Sequence, residues 1–163
     1  MKKSNLFFYS TLLSIMFFTS TMKAQIVDTA NSSTTIKKVK STDWQLLFSN
    51  EFVEINYRYA VCDLPTEGTH KENVYIQIKN KTDKNLKCDW NTEYWYDGIC
   101  SGCQGSNPEF HKSVMLKPNQ TRDGICTTDR DLFVLQIFSK MMNHNIRELT
   151  NFDLKDIKVT VLK

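Results

Sequence analysis

Five cysteines carry most of the chemistry that this chain of 163 residues offers: Cys62, Cys88, Cys100, Cys103 and Cys126. Cys100-Ser101-Gly102-Cys103 has the spacing of a redox-active dithiol. That chemistry wants a strand running into a helix that starts at the motif, and the surrounding sequence shows neither. Four cysteines gathered at one place could instead hold zinc as a tetrathiolate, but a single C-x-x-C and an oxidising compartment oppose it. The third outcome is oxidation to disulfides, the default for an exported chain. An odd count then leaves one thiol over.

Other reactive residues are sparse. His70, His111 and His144 stand in no metal-ligand or catalytic spacing. No nucleophile elbow, zinc-protease, phosphate-loop or dinucleotide fingerprint occurs. Asp129-Arg130-Asp131 and the acids from Asp153 to Asp156 read as solvated turns. Nothing calls for a cofactor or a metal, and an enzyme is not expected. The aromatics say more. Trp90, Tyr94, Trp95 and Tyr96 crowd seven positions, with Trp95 out of phase with the rest. If the others fill a core, Trp95 points outward beside a loop. The alternative is that it packs beneath that loop. The candidate binding surface is therefore Trp95 and Tyr96 with His70 and His111, facing a protein or a glycan.

These residues are positioned by strands. Asn73 to Tyr96 sets the pattern. Val74, Ile76 and Ile78 share one face; Leu86, Cys88, Trp90, Tyr94 and Tyr96 share another. Asn80 to Asn85 between them is turn chemistry, so the stretch reads as a hairpin. Trp44 to Phe48 precedes it as a strand. Phe52 to Asp63 alternates over a longer span, with Val53, Ile55, Tyr57, Tyr59 and Val61 inward. Leu64 to Glu72 and Asp97 to Glu109 are loops with Gly and Pro. Phe110 to Lys117 is a strand with Val114 and Leu116 inward. Thr121 to Cys126 is short and extended. Leu132 to Phe138 is apolar enough for a strand buried on both sides. One helical turn is expected around Ile146 to Leu149. Asn151 to Leu162 closes the fold, with a bulge near Lys155-Asp156 where its apolar phase slips. Seven to eight strands without a long helix predict an all-β, antiparallel, immunoglobulin-like β-sandwich, with a small closed β-barrel as the alternative.

An up-and-down path sorts the cysteines. It sends Cys62, Cys100, Cys103 and Cys126 to one end and leaves Cys88 alone at the other. Cys88 is expected as a free, buried thiol. The other four are expected in two disulfides, preferably Cys62 with Cys103 and Cys100 with Cys126. Cys100 with Cys103 is the competing pair.

The N-terminus adds an address. Residues 1–24 hold Lys2 and Lys3, an apolar run from Leu6 to Phe18, and small residues ending at Lys23-Ala24, the order of a secretory signal peptide. The run is too short, and too broken by Ser and Thr, for a membrane span, so no stable span is expected after signal cleavage. Residues 25–42 read as a flexible leader and 43–163 as the sandwich domain. Asp28-Thr29-Ala30 has the form of a short O-glycosylation acceptor, although an ordinary polar linker has the same form. Asn31, Asn80 and Asn119 begin Asn-x-Ser/Thr triplets. Taking Lys2, Lys3 and Lys23 from 21 basic residues leaves 18 against 18 acidic ones. A neutral mature chain gives no ground for nucleic-acid binding.

The order of Asn80-Lys81-Thr82, Trp95-Tyr96, Cys100 to Cys103, Leu116-Lys117-Pro118-Asn119-Gln120, Gly124-Ile125-Cys126 and Phe152 to Val159 resembles small exported Bacteroidota proteins of flavobacterial type with an immunoglobulin-like domain. Such proteins usually carry Gly where Asn119 stands. The resemblance implies a periplasmic or extracellular location and no assigned activity.

Overall fold

The computed structural model describes residues 25–30 (backbone only), 38–103, 107–127, 133–143 and 147–162. The expected signal peptide, Asn31, Asp129 to Asp131, His144 and Ile146 lie outside them. The described residues form ten strands and no α-helix. They are β1 (Gln25–Ala30), β2 (Gln45–Ser49), β3 (Val53–Leu64), β4 (Thr69–Asn80), β5 (Asn85–Tyr96), β6 (Ile99–Ser101), β7 (His111–Leu116), β8 (Thr121–Asp123), β9 (Gln136–Met141) and β10 (Leu149–Leu162). All pairings are antiparallel. One sheet runs β1-β10-β5, with β7 and β6 sharing the far edge of β5. The other runs β2-β3-β4, with β8 and β9 sharing the far edge of β4. Their apolar faces meet in a β-sandwich.

The core follows the alternation. Val53, Ile55, Tyr57, Val74, Ile76 and Ile78 of one sheet face Leu86, Cys88, Trp90, Val114, Leu116 and Phe152 of the other. On β3 the inward face holds through Tyr57, and half-buried Tyr59 still packs against the core. Val61 is 47% exposed, while Cys62, on the opposite face, is fully buried through its bond to Cys126.

The expected hairpin is corrected. β4 and β5 do not pair; they lie in different sheets, and residues 81–84 carry the chain across the core as an arch. Both strands bury a continuous apolar face, and facing one another buries both at once. Asn80, 1% exposed, pins the corner. Its Nδ2 donates to Lys84 O at 2.7 Å and to Lys117 O at 2.8 Å. Its Oδ1 accepts from Thr82 N and Thr82 Oγ1, both at 2.8 Å.

Other boundaries also move. β4 starts at Thr69, inside the expected loop, after a 3-10 turn at Pro65–Glu67 that ends on Gly68. β6 is a strand within the second expected loop, laid on the end of β5. The apolar run from Leu132 is not one strand: Phe133–Leu135 is a 3-10 turn, and β9 follows it. Phe133 is 41% exposed while Leu135 is fully buried, so the run packs on one side. β10 begins at Leu149, where a helical turn was expected. Its register shifts between Lys155 and Lys158, and Asp156 sits at φ 53, at the expected bulge. Within the expected flexible leader, β1 pairs with β10. Lys38 to Lys40 also docks: Val39 N donates to Tyr57 Oη at 3.0 Å, and Lys40 reaches Glu72 at 2.7 Å.

Candidate functional site: an aromatic cleft beside β9

The cysteines form two separate bonds. Cys62 is bonded to Cys126 and Cys100 to Cys103; Cys88 is free and buried. The preferred pairing of Cys62 with Cys103 and Cys100 with Cys126 is therefore corrected. The reason lies in the arch. Cys62 is on β3 and Cys126 follows β8, and both strands flank β4 in one sheet. Cys100 sits on β6, in the other sheet. The four sulfurs thus form two bonded pairs on different sheets. Among the described residues no three His, Cys, Asp or Glu side chains gather as a metal site.

Neither Cys88 nor the Cys100–Cys103 pair has an activating environment among the described residues. Burial, and then the Asp89 charge, push the Cys88 thiol up to about 12. Cys100 is on a strand, and among the described residues no helix begins at Cys103 to stabilise a thiolate. The loop between them has a structural task. A Cβ on Gly102, which sits at φ 89, would meet Thr92 O at 2.6 Å and the Phe110 ring at 3.2 Å. The C-x-x-C loop therefore lies flat against β5 and backs Phe110.

Phe110 is one wall of a cavity of about 340 Å³. The cavity opens where β5 and the start of β7 face β9 and the 3-10 turn before it. Its floor is Trp90, whose indole N–H donates to Thr92 Oγ1 at 3.2 Å. Tyr94 meets Phe110 edge-on at 5.5 Å between ring centres, and Tyr96 lies 6.1 Å from Phe138 across the opening. Tyr96 Oη donates to Phe138 O at 2.7 Å, tying the two sheets at the cleft. Burial, and then Tyr94, raise the Tyr96 phenol to about 12, so it stays a donor at neutral pH. The Tyr94 phenol is also raised, by burial first and then by Glu109. Lys71, Asn73, Glu109, Lys112 and Gln136 supply polar groups to the lining. A second depression, of about 480 Å³ at the other end of the sandwich, has no aromatic lining residue.

The expected surface residues are dispersed. Tyr96 lines the cleft. Trp95 is on the opposite face of β5, half-buried, beside Cys100 in register. His111 faces outward from β7, 3.3 Å from Asn91 Oδ1 and 3.5 Å from Asp89. His70 is on β4, 3.4 Å from Asp63 on the neighbouring strand. Sequence reasoning did not single out Asn73, Phe110, Gln136 or Phe138. Phe110 and Phe138 look like ordinary core positions, and their shared cleft appears only when β5 and β9 occupy different sheets.

Among the described residues no helix is long and apolar enough to cross a membrane. Comparison with models of known families, with curated proteins and with solved structures gives no match.

Proposed function

We propose that the chain is an exported, non-enzymatic binding module, periplasmic or extracellular, whose ligand enters the aromatic cleft beside β9. The observation that carries this reading is the cleft. It is concave, walled by Tyr94, Tyr96, Phe110 and Phe138, and carries a few polar groups. Its volume falls at the small end of ligand sites, roughly 300–1,000 Å³. The polar groups are arranged for holding. The Tyr96 hydroxyl is engaged with a backbone carbonyl, and Lys112 Nζ donates to Glu109 O at 2.8 Å. The two disulfides support the exported setting.

Thermal-shift screening of a small-molecule library against the mature chain, with Trp90 emission as second readout, tests the site. Hits should perturb Trp90 and lose at least tenfold in affinity with Phe110→Ala. Hits that bind both proteins equally refute it. Amino-terminal sequencing of the natural product should begin at Gln25.

A second reading is thiol–disulfide exchange at Cys100–Cys103, favoured by the exposure of Cys103. Mass spectrometry after mild reduction distinguishes it: a structural bridge resists, and a working dithiol opens and recloses.

A further inference from the structure

We propose that the cleft takes a neutral sugar ring, with a ligand hydroxyl donating to Asn73 Oδ1; this rests on the cleft being the binding site. Asn73 is 1% exposed and lines the cavity. Its Nδ2 donates to Gln136 Oε1 at 2.8 Å. Gln136 Nε2 in turn donates to Thr127 O at 3.3 Å. That relay fixes which way both amides point, and it leaves Asn73 Oδ1 without a hydrogen bond among the described residues. Tyr75, two residues along, brings its hydroxyl near enough to feel the Asn73 amide, yet the two groups make no hydrogen bond. A buried acceptor left unmet costs about 1–3 kcal/mol, so the site favours an occupant that donates to it.

The rest of the cleft narrows the choice. Tyr94, Phe110 and Phe138 offer ring surfaces to the C–H faces of a flat, saturated ring. A purely apolar ligand would fill the same space and leave the amide oxygen unmet. An anion would set its own charge against that oxygen and against Glu109. A cation would meet Lys71 and Lys112. The mixed charge of the lining favours neither sign. A neutral polyol ring satisfies both the aromatic surfaces and the acceptor, and the cavity of about 340 Å³ suits one or two rings.

The test is an NMR titration of the ¹⁵N-labelled mature chain with the methyl glycosides of glucose, galactose, mannose and N-acetylglucosamine, alongside toluene as the apolar probe. At least one glycoside should shift the Trp90 indole N–H and the amides of Phe110 and Phe138, saturating in the millimolar range. Asn73→Ala should weaken that glycoside at least tenfold, while Tyr75→Phe leaves it within twofold. Should Asn73→Ala not fold, Phe110→Ala at the rim should give a loss of the same order. If toluene alone moves the cleft resonances, the cleft stands as a site and the sugar assignment falls. If neither probe moves them, both fall. If a glycoside shifts only Trp95 and Ile99, on the outer face, the sugar assignment falls. Unchanged affinity in both Asn73→Ala and Phe110→Ala overturns it too.

Discussion

Asn80 shows how much one side chain can decide. It stands at the end of β4 and answers four hydrogen-bonding partners at once, on both sides of the arch and on the turn after β7. Asn80→Ala would strip a donor from two carbonyls and an acceptor from Thr82, at a cost of about 2–4 kcal/mol. Urea unfolding should show the midpoint falling with little change in slope. Burial at 1% also keeps Asn80 from serving as a glycosylation acceptor once folded. Cys88 gives a second residue-scale prediction. Its thiol is raised from 9.0 to about 12, burial being the larger cause. The folded state keeps a proton that the unfolded chain releases above pH 9. The stabilising contribution is therefore complete below pH 9 and is lost as pH rises towards 12. Cys88→Ala should flatten the decline in stability between pH 9 and 11, and at pH 8 a disulfide reagent should modify Cys88 only as fast as the chain unfolds. The fate of Cys88 was legible because period 2 places it between Leu86 and Trp90. The corner role of Asn80 was not, since the polar run from Asn80 to Asn85 looks the same in a hairpin and in an arch. Asn119 is the converse case. The turn at Pro118-Asn119-Gln120 was legible from its residue types, and Asn119 sits at φ 55, a left-handed position that Asn tolerates better than most residues.

At the scale of elements, alternation reveals which face of a strand is buried and says nothing about which sheet the strand joins. Val74, Ile76 and Ile78 on β4, and Leu86 and Trp90 on β5, are core residues under either topology. The consequence falls on the disulfides, because the arch sends Cys62 and Cys100 to different sheets. The bond between Cys62 and Cys126 spans 64 residues, which chain-entropy scaling values at about 4 kcal/mol; the separation of 3 between Cys100 and Cys103 gives about 1.5 kcal/mol. Calorimetry should therefore show a much larger loss for the Cys62→Ala, Cys126→Ala variant than for Cys100→Ala, Cys103→Ala. The reverse order would refute the placement of these bonds. Gly124 marks where β8 hands over to the segment that ends in Cys126. Its N–H donates to Ile76 O at 2.7 Å, and a Cβ there would meet Leu135 O at 2.1 Å. Gly124→Ala should cost about 1–3 kcal/mol through forced backbone shifts, and Val74 and Ile137 amides should lose protection from hydrogen exchange.

For the whole molecule, the question is what closes the side of the sandwich where β3 faces β10. Among the described residues no pair of strands bridges the sheets there. The strap from Lys38 to Lys40 crosses it, ending where Tyr59 N donates to Ser41 O at 2.7 Å. Polar composition hid this strap, since Lys and Thr without a period read as linker. Its two lysines act differently. The Lys38 side chain is 8% exposed; its Nζ lies 3.5 Å from Asp153 and sits over the Phe152 ring at 4.9 Å. Burial lowers its pKa against the opposing pull of Asp153, so desolvation outweighs the pairing. Asp153 keeps a second partner in Lys155 at 2.7 Å. Lys38→Met should therefore leave stability unchanged or raise it, because the apolar stem stays on Phe152 while the buried charge goes. Lys40 is half-exposed, but it approaches Glu72, whose side chain is only 12% exposed and otherwise accepts from Ser139 Oγ at 2.9 Å. Lys40→Met strips the cation from that carboxylate and should cost about 1–2 kcal/mol. Glu72→Gln in the Lys40→Met background should restore most of the loss, since a neutral amide tolerates burial better than an unpaired charge. Denaturant unfolding of the three variants gives the answer. Equal losses for Lys38→Met and Lys40→Met would mean that the strap holds by backbone contacts alone.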